Sequence, residues 1–178
     1  MKTVKLHNKT FEVFIAETEI SAIVYSMANH INNSGVKDPL FIAVLNGSFL
    51  FAADIMRKIN IPNCEISFIK LSSYLGTEST GEVNELIGIG QDIKNRNIVI
   101  LEDIIDTGIT LEKIILLLEK EEVNDIKVAT LLFKPEAYKK DIEIDFIGKS
   151  IPNDFVVGYG LDYDEIGRNL PHIYKLKE

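Results

Sequence analysis

The chain has 178 residues, 46% hydrophobic and 26% charged, values that exclude a mainly disordered polymer and suit one domain with a substantial core. A formal net charge of -8 argues against a nucleic-acid surface, so a small anionic ligand would need local donors or a metal. The lone Cys64 excludes an internal disulfide and a cysteine-based zinc cluster; His7, His30 and His172 are too scattered for a metal motif.

The first segment, MKTVKLHNKTFEVFIAE, lacks the apolar core of a signal peptide, and no apolar run reaches membrane-spanning length. A cytoplasmic protein with no membrane partner is the expectation. Ile20, Ile23, Val24, Met27, Ala28 and Ile31 recur at helical spacing and predict an amphipathic helix, stopped by Asn32-Asn33-Ser34-Gly35. After Pro39, LFIAVLN (40–46) is a continuous apolar run of the kind buried on both faces of a parallel sheet. Gly47-Ser48 then turns the chain into a second helical pattern of Ala52, Ile55, Met56 and Ile59. CEISFIKL (64–71) reads as a strand, NIVILED (97–103) as a strong one, and Leu111, Ile114, Ile115 and Leu118 as the helix behind it. KVATLLF (127–133) and DFVVGYGL (154–161) are further expected strands.

Buried strands alternating with helices predict an α/β fold with a largely parallel central sheet flanked by helices. Ligands of such sheets gather at strand carboxyl ends, where residues 45–48, 102–110 and 133–135 fall. Residues 72–83, SSYLGTESTGEV, are polar and glycine-bearing between strand-like runs and are expected to form an exposed hairpin or mobile loop.

The stretch LEDIIDTGIT (101–110) places Glu102, Asp103 and Asp106 beside a Thr-Gly turn that opens a helix. Backbone amides at a helix start can bind phosphate without basic side chains, Gly108 permits close approach, and Thr107 and Thr110 add hydroxyls. The Gly-Lys-Ser/Thr ending of a P-loop is missing, and GIGQDI (88–93) has Ile93 where the dinucleotide fingerprint needs a third glycine. Carboxylates at the strand end could accept bonds from sugar hydroxyls or approach hydrated Mg²⁺, and Asp106 could move a proton. Solvated loop acids, one of them capping the helix, would explain the same residues. The spacing alone leaves the two readings level.

VILEDIIDTGITL (99–111) resembles the phosphoribosyl-diphosphate motif of type I phosphoribosyltransferases. LNGSFLFAADI (45–55), SSYLGTESTGEV, LLFKPE (131–136) and DFVVGYGLDYDEIGRNLPHIYKL (154–176) resemble, in order, the hypoxanthine-guanine branch of that family. The resemblance implies one phosphoribosyltransferase domain over 1–178, with a core at about 37–150, a small hood from 1–36 and 151–178, and a lid at 72–83. It implies transfer of the phosphoribosyl group of phosphoribosyl diphosphate to a 6-oxopurine base with Mg²⁺ as cofactor, by a homodimer or homotetramer in purine salvage.

Residue roles follow from the same resemblance. The turn of Asp106, Thr107, Gly108, Ile109 and Thr110 would hold the 5-phosphate, Glu102 and Asp103 the ribose hydroxyls, and Asp106 would exchange a proton with purine N7. Lys134 would donate to purine O6, Phe155 would cover the base and Val156 would meet its edge. Asp162 would contact base and metal, the metal being shared with Glu102 and Asp103. Asn46, Gly47, Ser48 and Arg168 would receive pyrophosphate beneath Ser73 and Tyr74 of the lid, beside a non-proline cis bond between Leu45 and Asn46. Asn46 and Ile109 stand where some relatives carry basic residues. Taken singly, Phe155 reads as core, and Lys134, Asp162 and Arg168 as surface charges. A xanthine- and guanine-preferring enzyme is a close alternative; a regulator on the same fold would need the nucleic-acid surface that the charge opposes.

Overall fold

The computed structural model describes residues 3–71, 85–87, 90 and 92–177. In chain order the elements are β1 (Thr3–Leu6), β2 (Lys9–Ile15), α1 (Glu17–Asn32), β3 (Leu40–Val44), α2 (Phe49–Met56), β4 (Glu65–Leu71) and β5 (Glu85–Ile87). They continue with β6 (Asn97–Ile105), α3 (Ile109–Lys120), β7 (Asp125–Phe133), β8 (Phe146–Ser150), β9 (Val156–Val157) and β10 (Ile173–Leu176).

The central sheet runs β5-β4-β3-β6-β7-β8. Every pairing in it is parallel except the antiparallel β5 edge, as the apolar runs predict. All five residues of β3 are buried. Phe41 and Ala43 face the core beneath α1 and α2, while Leu40, Ile42 and Val44 face the core beneath α3. Strand order reverses between β3 and β6, so the loops leaving those strands flank one crevice, the place where such sheets bind ligands.

Alternation along β6 breaks near its end. Leu101 and Ile104 pack into the same core although three residues apart, where strict alternation would send them to opposite faces. The Asp103 carboxylate accepts a bond from the Ile104 amide at 2.8 Å at this irregular step. Glu102 and, just past the strand end, Asp106 thus line one cavity, while Asp103 faces Gly47.

A second sheet, β1-β2-β10-β9, is antiparallel and joins the two termini into the expected hood. Leu6, Phe11, Val157 and Tyr174 form its own small core. Two expectations need correcting. Helix α1 lies outside the hood: Ile20, Val24, Met27, Ala28 and Ile31 are buried in the main core, and Ile23 and Met27 crowd Gly148 of β8. The hood's amino-terminal share therefore stops near Ile15. The segment DFVVGYGL, expected as a strand, pairs only at Val156–Val157, because Gly158, Tyr159 and Gly160 all adopt positive φ and curl the chain away. Among the described residues no helix is long and apolar enough to cross a membrane.

Candidate active site

Helix α3 starts without a side-chain cap. Gly108 is its first flanking residue, at φ 81°, and among the described residues no side-chain cap bonds the first amides. A Cβ at Gly108 would fall 2.6 Å from the Tyr138 ring, so close packing as well as φ requires glycine. Among the described residues the amides of Thr107, Gly108, Ile109 and Thr110 donate to no backbone carbonyl. They line, with Glu102 and Asp106, a cavity of about 100 Å³. Uncapped amides with the positive end of a helix behind them attract an anion, and the helix-capping explanation of the nearby acids fails. Ile109 is 50% exposed.

Glu102 is buried, and burial, followed by the charge of Asp103, pushes its carboxyl well above the usual range. Asp103 is partly exposed; burial pushes it up to about 6, against the lowering by its backbone bonds and by Arg168, with Asp162 raising it. Two adjacent acids held in this way favour a partner that supplies hydroxyl donors or positive charge.

Asp106 reaches the end of the neighbouring strand. Its Oδ2 lies 2.9 Å from Lys134 Nζ, the carboxylate side chain 46% exposed and the lysine side chain 9% exposed. The Lys134 amide also donates to the Ile105 carbonyl at 3.0 Å. A lysine so deeply set, its head at the strand end and paired with the turn aspartate, is not a solvated surface charge.

The turn after β3 has the cis peptide between Leu45 and Asn46. Gly47 is pressed against Asp103: a Cβ there would lie 1.5 Å from Asp103 Oδ2. Among the described residues the Asn46 and Gly47 amides donate to no backbone carbonyl. Ser48 is different. It is fully buried, its hydroxyl donates to the Val44 carbonyl at 2.6 Å and its amide to the same oxygen at 3.3 Å, so it braces the turn and offers no free donor.

In the hood, Phe155 is 44% exposed and backed by the rings of Phe11 and Tyr163, with centroids 6.1 and 5.8 Å away. Lys9 Nζ lies over the Phe155 ring, 5.6 Å from its centroid, and Val156 beside it, at the start of β9, is buried. Arg168 donates to the Gly160 carbonyl and pairs with Asp162 at 2.9 Å, and the other Asp162 oxygen accepts the Glu165 amide. Both residues expected at pyrophosphate and metal therefore hold each other. The expected set of Glu102, Asp103 and Asp162 is not assembled, since no three acidic, histidine or cysteine groups among the described residues converge on a cation position. Ser73 and Tyr74 of the expected lid lie outside the described residues.

Two contacts escaped the residue-by-residue reading: the Tyr159 hydroxyl bonds Asp54, and Gly160 abuts Gly47. The paired glycines around Tyr159 were the signal available for both.

Residues 15–164 match the phosphoribosyl transferase domain family. The hypoxanthine-guanine phosphoribosyltransferases of Staphylococcus epidermidis and Staphylococcus aureus are 44% and 42% identical over 97% of this chain and 97% of their own. A crystal structure of a hypoxanthine phosphoribosyltransferase from Staphylococcus aureus superposes with a TM-score of 0.85 at 42% identity, covering 93% of this chain and 91% of that one. One of a hypoxanthine-guanine phosphoribosyltransferase from Bacillus anthracis, with a HEPES molecule in its active site, gives 0.84 at 38%, covering 94% and 97%. With the reversed strand order, the uncapped α3 turn and the strand-end acids, these likenesses show that the chain belongs to the phosphoribosyltransferase family, in its hypoxanthine-guanine branch.

Proposed function

We propose that this protein salvages purines, moving the 5-phosphoribosyl group of phosphoribosyl diphosphate to N9 of hypoxanthine, and of guanine, to give IMP or GMP and pyrophosphate. The observation that carries the reading is the meeting of an uncapped phosphate-sized turn with the Asp106–Lys134 pair in one crevice. The turn amides hold the 5-phosphate, and Glu102 and Asp103 face the ribose hydroxyls. As the C1′–oxygen bond to pyrophosphate breaks and the N9–C1′ bond forms, the proton on purine N7 passes to Asp106. Lys134 donates to O6 and selects 6-oxopurines, because adenine presents an amino donor at that position. Phe155 covers the base, with Val156 at its edge, and the amides of Asn46 and Gly47 receive pyrophosphate.

Oxygen donors alone at the strand end suit a hard cation, and Mg²⁺ typically uses one or two carboxylates with substrate oxygens, so the lack of a closed cage is compatible with it. We assign Asp103 as its main protein contact, with Glu102 behind it and Asp162 available only when Arg168 turns away; when bound, Mg²⁺ would neutralise charge on the departing diphosphate. A cytoplasmic homodimer or homotetramer, without nucleic-acid or membrane partners, completes the proposal and is checked by light scattering and cell fractionation.

The test is direct: incubate the protein with phosphoribosyl diphosphate, Mg²⁺ and hypoxanthine, guanine, xanthine or adenine, and separate the products by chromatography. IMP and GMP are expected, with no AMP. No nucleotide from any base would refute the proposal, and faster turnover of xanthine than hypoxanthine would move it to the xanthine-preferring branch.

A further inference from the structure

Tyr159 is 7% exposed, sits between two glycines and holds φ at 50°. Its hydroxyl donates to Asp54 Oδ2 at 2.7 Å across 105 positions of sequence. Asp54 belongs to α2, the short helix that leaves the turn at residues 45–48. The next hood residue touches that same turn: a Cβ at Gly160 would lie 2.0 Å from the Gly47 carbonyl oxygen. Gly160 is fixed in turn by Arg168, whose carbonyl accepts its amide and whose guanidinium holds its carbonyl, both at 2.9 Å. The turn is therefore gripped at two points, through Gly47 directly and through Asp54 at the far side of a rigid helix.

We propose that Tyr159 and Asp54 form a latch that positions the Asn46–Gly47 turn against the hood segment carrying Asp162 and Arg168, and so sets how tightly the pyrophosphoryl group is held. The proposal rests on the reading of that turn as the pyrophosphate seat. Burial, then the bond to Asp54 and its charge, push the phenol well above its ordinary range, so the latch donor keeps its proton at physiological pH. Arg57 offers no substitute, since its pair with Asp54 is long, at 3.4 Å, and its side chain is 74% exposed. The base platform is held by other means: Phe155 is backed by Phe11 and Tyr163, and its carbonyl accepts the Leu176 amide at 3.0 Å. Loosening the latch is therefore felt by pyrophosphate and phosphoribosyl diphosphate ahead of the base.

Tyr159→Phe and Asp54→Ala test this, with Asp54→Asn retaining an acceptor for the phenol. In the presence of Mg²⁺, the first two should raise the KM for phosphoribosyl diphosphate and the Kd for pyrophosphate by about 2- to 10-fold, the worth of one hydrogen bond. The KM for hypoxanthine should stay within about twofold, a smaller change than the loss of one such bond produces, and Asp54→Asn should behave like the parent. A lowered Tm with unchanged substrate constants, or equal losses for both substrates, would overturn the latch. Titrating the ¹⁵N-labelled parent with magnesium pyrophosphate separates the two readings. If the Gly47 amide resonance does not move, the seat is misassigned and the latch falls with it; if it moves while Tyr159→Phe binds pyrophosphate as the parent does, only the latch is wrong.

Discussion

Gly47→Ala tests the meeting of turn and strand most sharply. The added Cβ would fall 1.5 Å from Asp103 Oδ2 and 2.5 Å from Cγ, so the carboxylate must retreat by about 2 Å to reach ordinary contact. Retreat is resisted because the other oxygen, Oδ1, accepts the Ile104 amide at 2.8 Å. Overpacking of this kind costs roughly 1–3 kcal/mol, which for a chain of this size lowers Tm by about 2–12 °C. The kinetic loss should be larger in proportion, since displacing a positioned group by about 1 Å can cost on the order of 100-fold. Calorimetry and steady-state kinetics with phosphoribosyl diphosphate as the varied substrate measure both effects. Adding Asp103→Ala to Gly47→Ala should recover most of the Tm by removing the clash, without restoring activity. A Gly47→Ala protein with parental Tm and with kcat/KM within about threefold would refute the packing argument, because the expected kinetic penalty is on the order of 100-fold.

Asp106→Asn should lower kcat by about 10²–10⁴-fold while leaving the KM for phosphoribosyl diphosphate nearly unchanged; turnover at the parental rate would remove Asp106 from proton transfer. Lys134→Ala should reduce kcat/KM for hypoxanthine by about 10- to 150-fold, the range for a hydrogen bond from a charged donor, and unchanged base kinetics would exclude it from recognition. Asp103, beside the likewise raised Glu102, contributes to the pH dependence. Its folded carboxyl is raised to about 6 and its unfolded one sits near the usual value of about 4, so the folded chain binds the extra proton between them. Stability of the ligand-free protein should therefore decline as pH rises through that window, and Asp103→Asn should flatten the decline in thermal melts. In the same window affinity for magnesium phosphoribosyl diphosphate should weaken as pH falls below about 6, which a pH-independent KM would contradict.

The parts of the fold most plainly visible in the sequence were the strands with long buried runs. β3, β6 and β7 are apolar on both faces, and a run such as LFIAV needs no partner to be named before it reads as an interior strand. The hood strand β10 and the outer strand β8 of the central sheet are different. β10 is four residues, IYKL, and β8 is FIGKS with a glycine and a lysine inside it. Each becomes a strand only because another segment lies beside it: Tyr174 pairs with Val13 and Val157, residues that no local pattern connects. α1 misled in the opposite sense. Its apolar stripe announced a buried helix correctly, but a stripe does not say which sheet will cover it.

The same division runs through the site. The uncapped turn at residues 106–110 was legible because a helix start presents its free amides through contiguous backbone. Asp106 with Lys134, Gly47 with Asp103, and Tyr159 with Asp54 each join two segments that only the folded sheet brings together. Ser48 shows the converse, a residue of the right type in the right motif whose hydroxyl the local fold has already spent on Val44. The irregular end of β6 also sets where the three acids stand around the turn. That irregular step leaves Glu102 and Asp106 lining the cavity at the start of α3 and Asp103 against the Gly47 turn, the proposed seats of the 5-phosphate and of pyrophosphate. On the proposed function, the turn amides, the strand-end carboxylates and the lysine-paired Asp106 are parts of one ligand's outline, set in place by which strands neighbour β6.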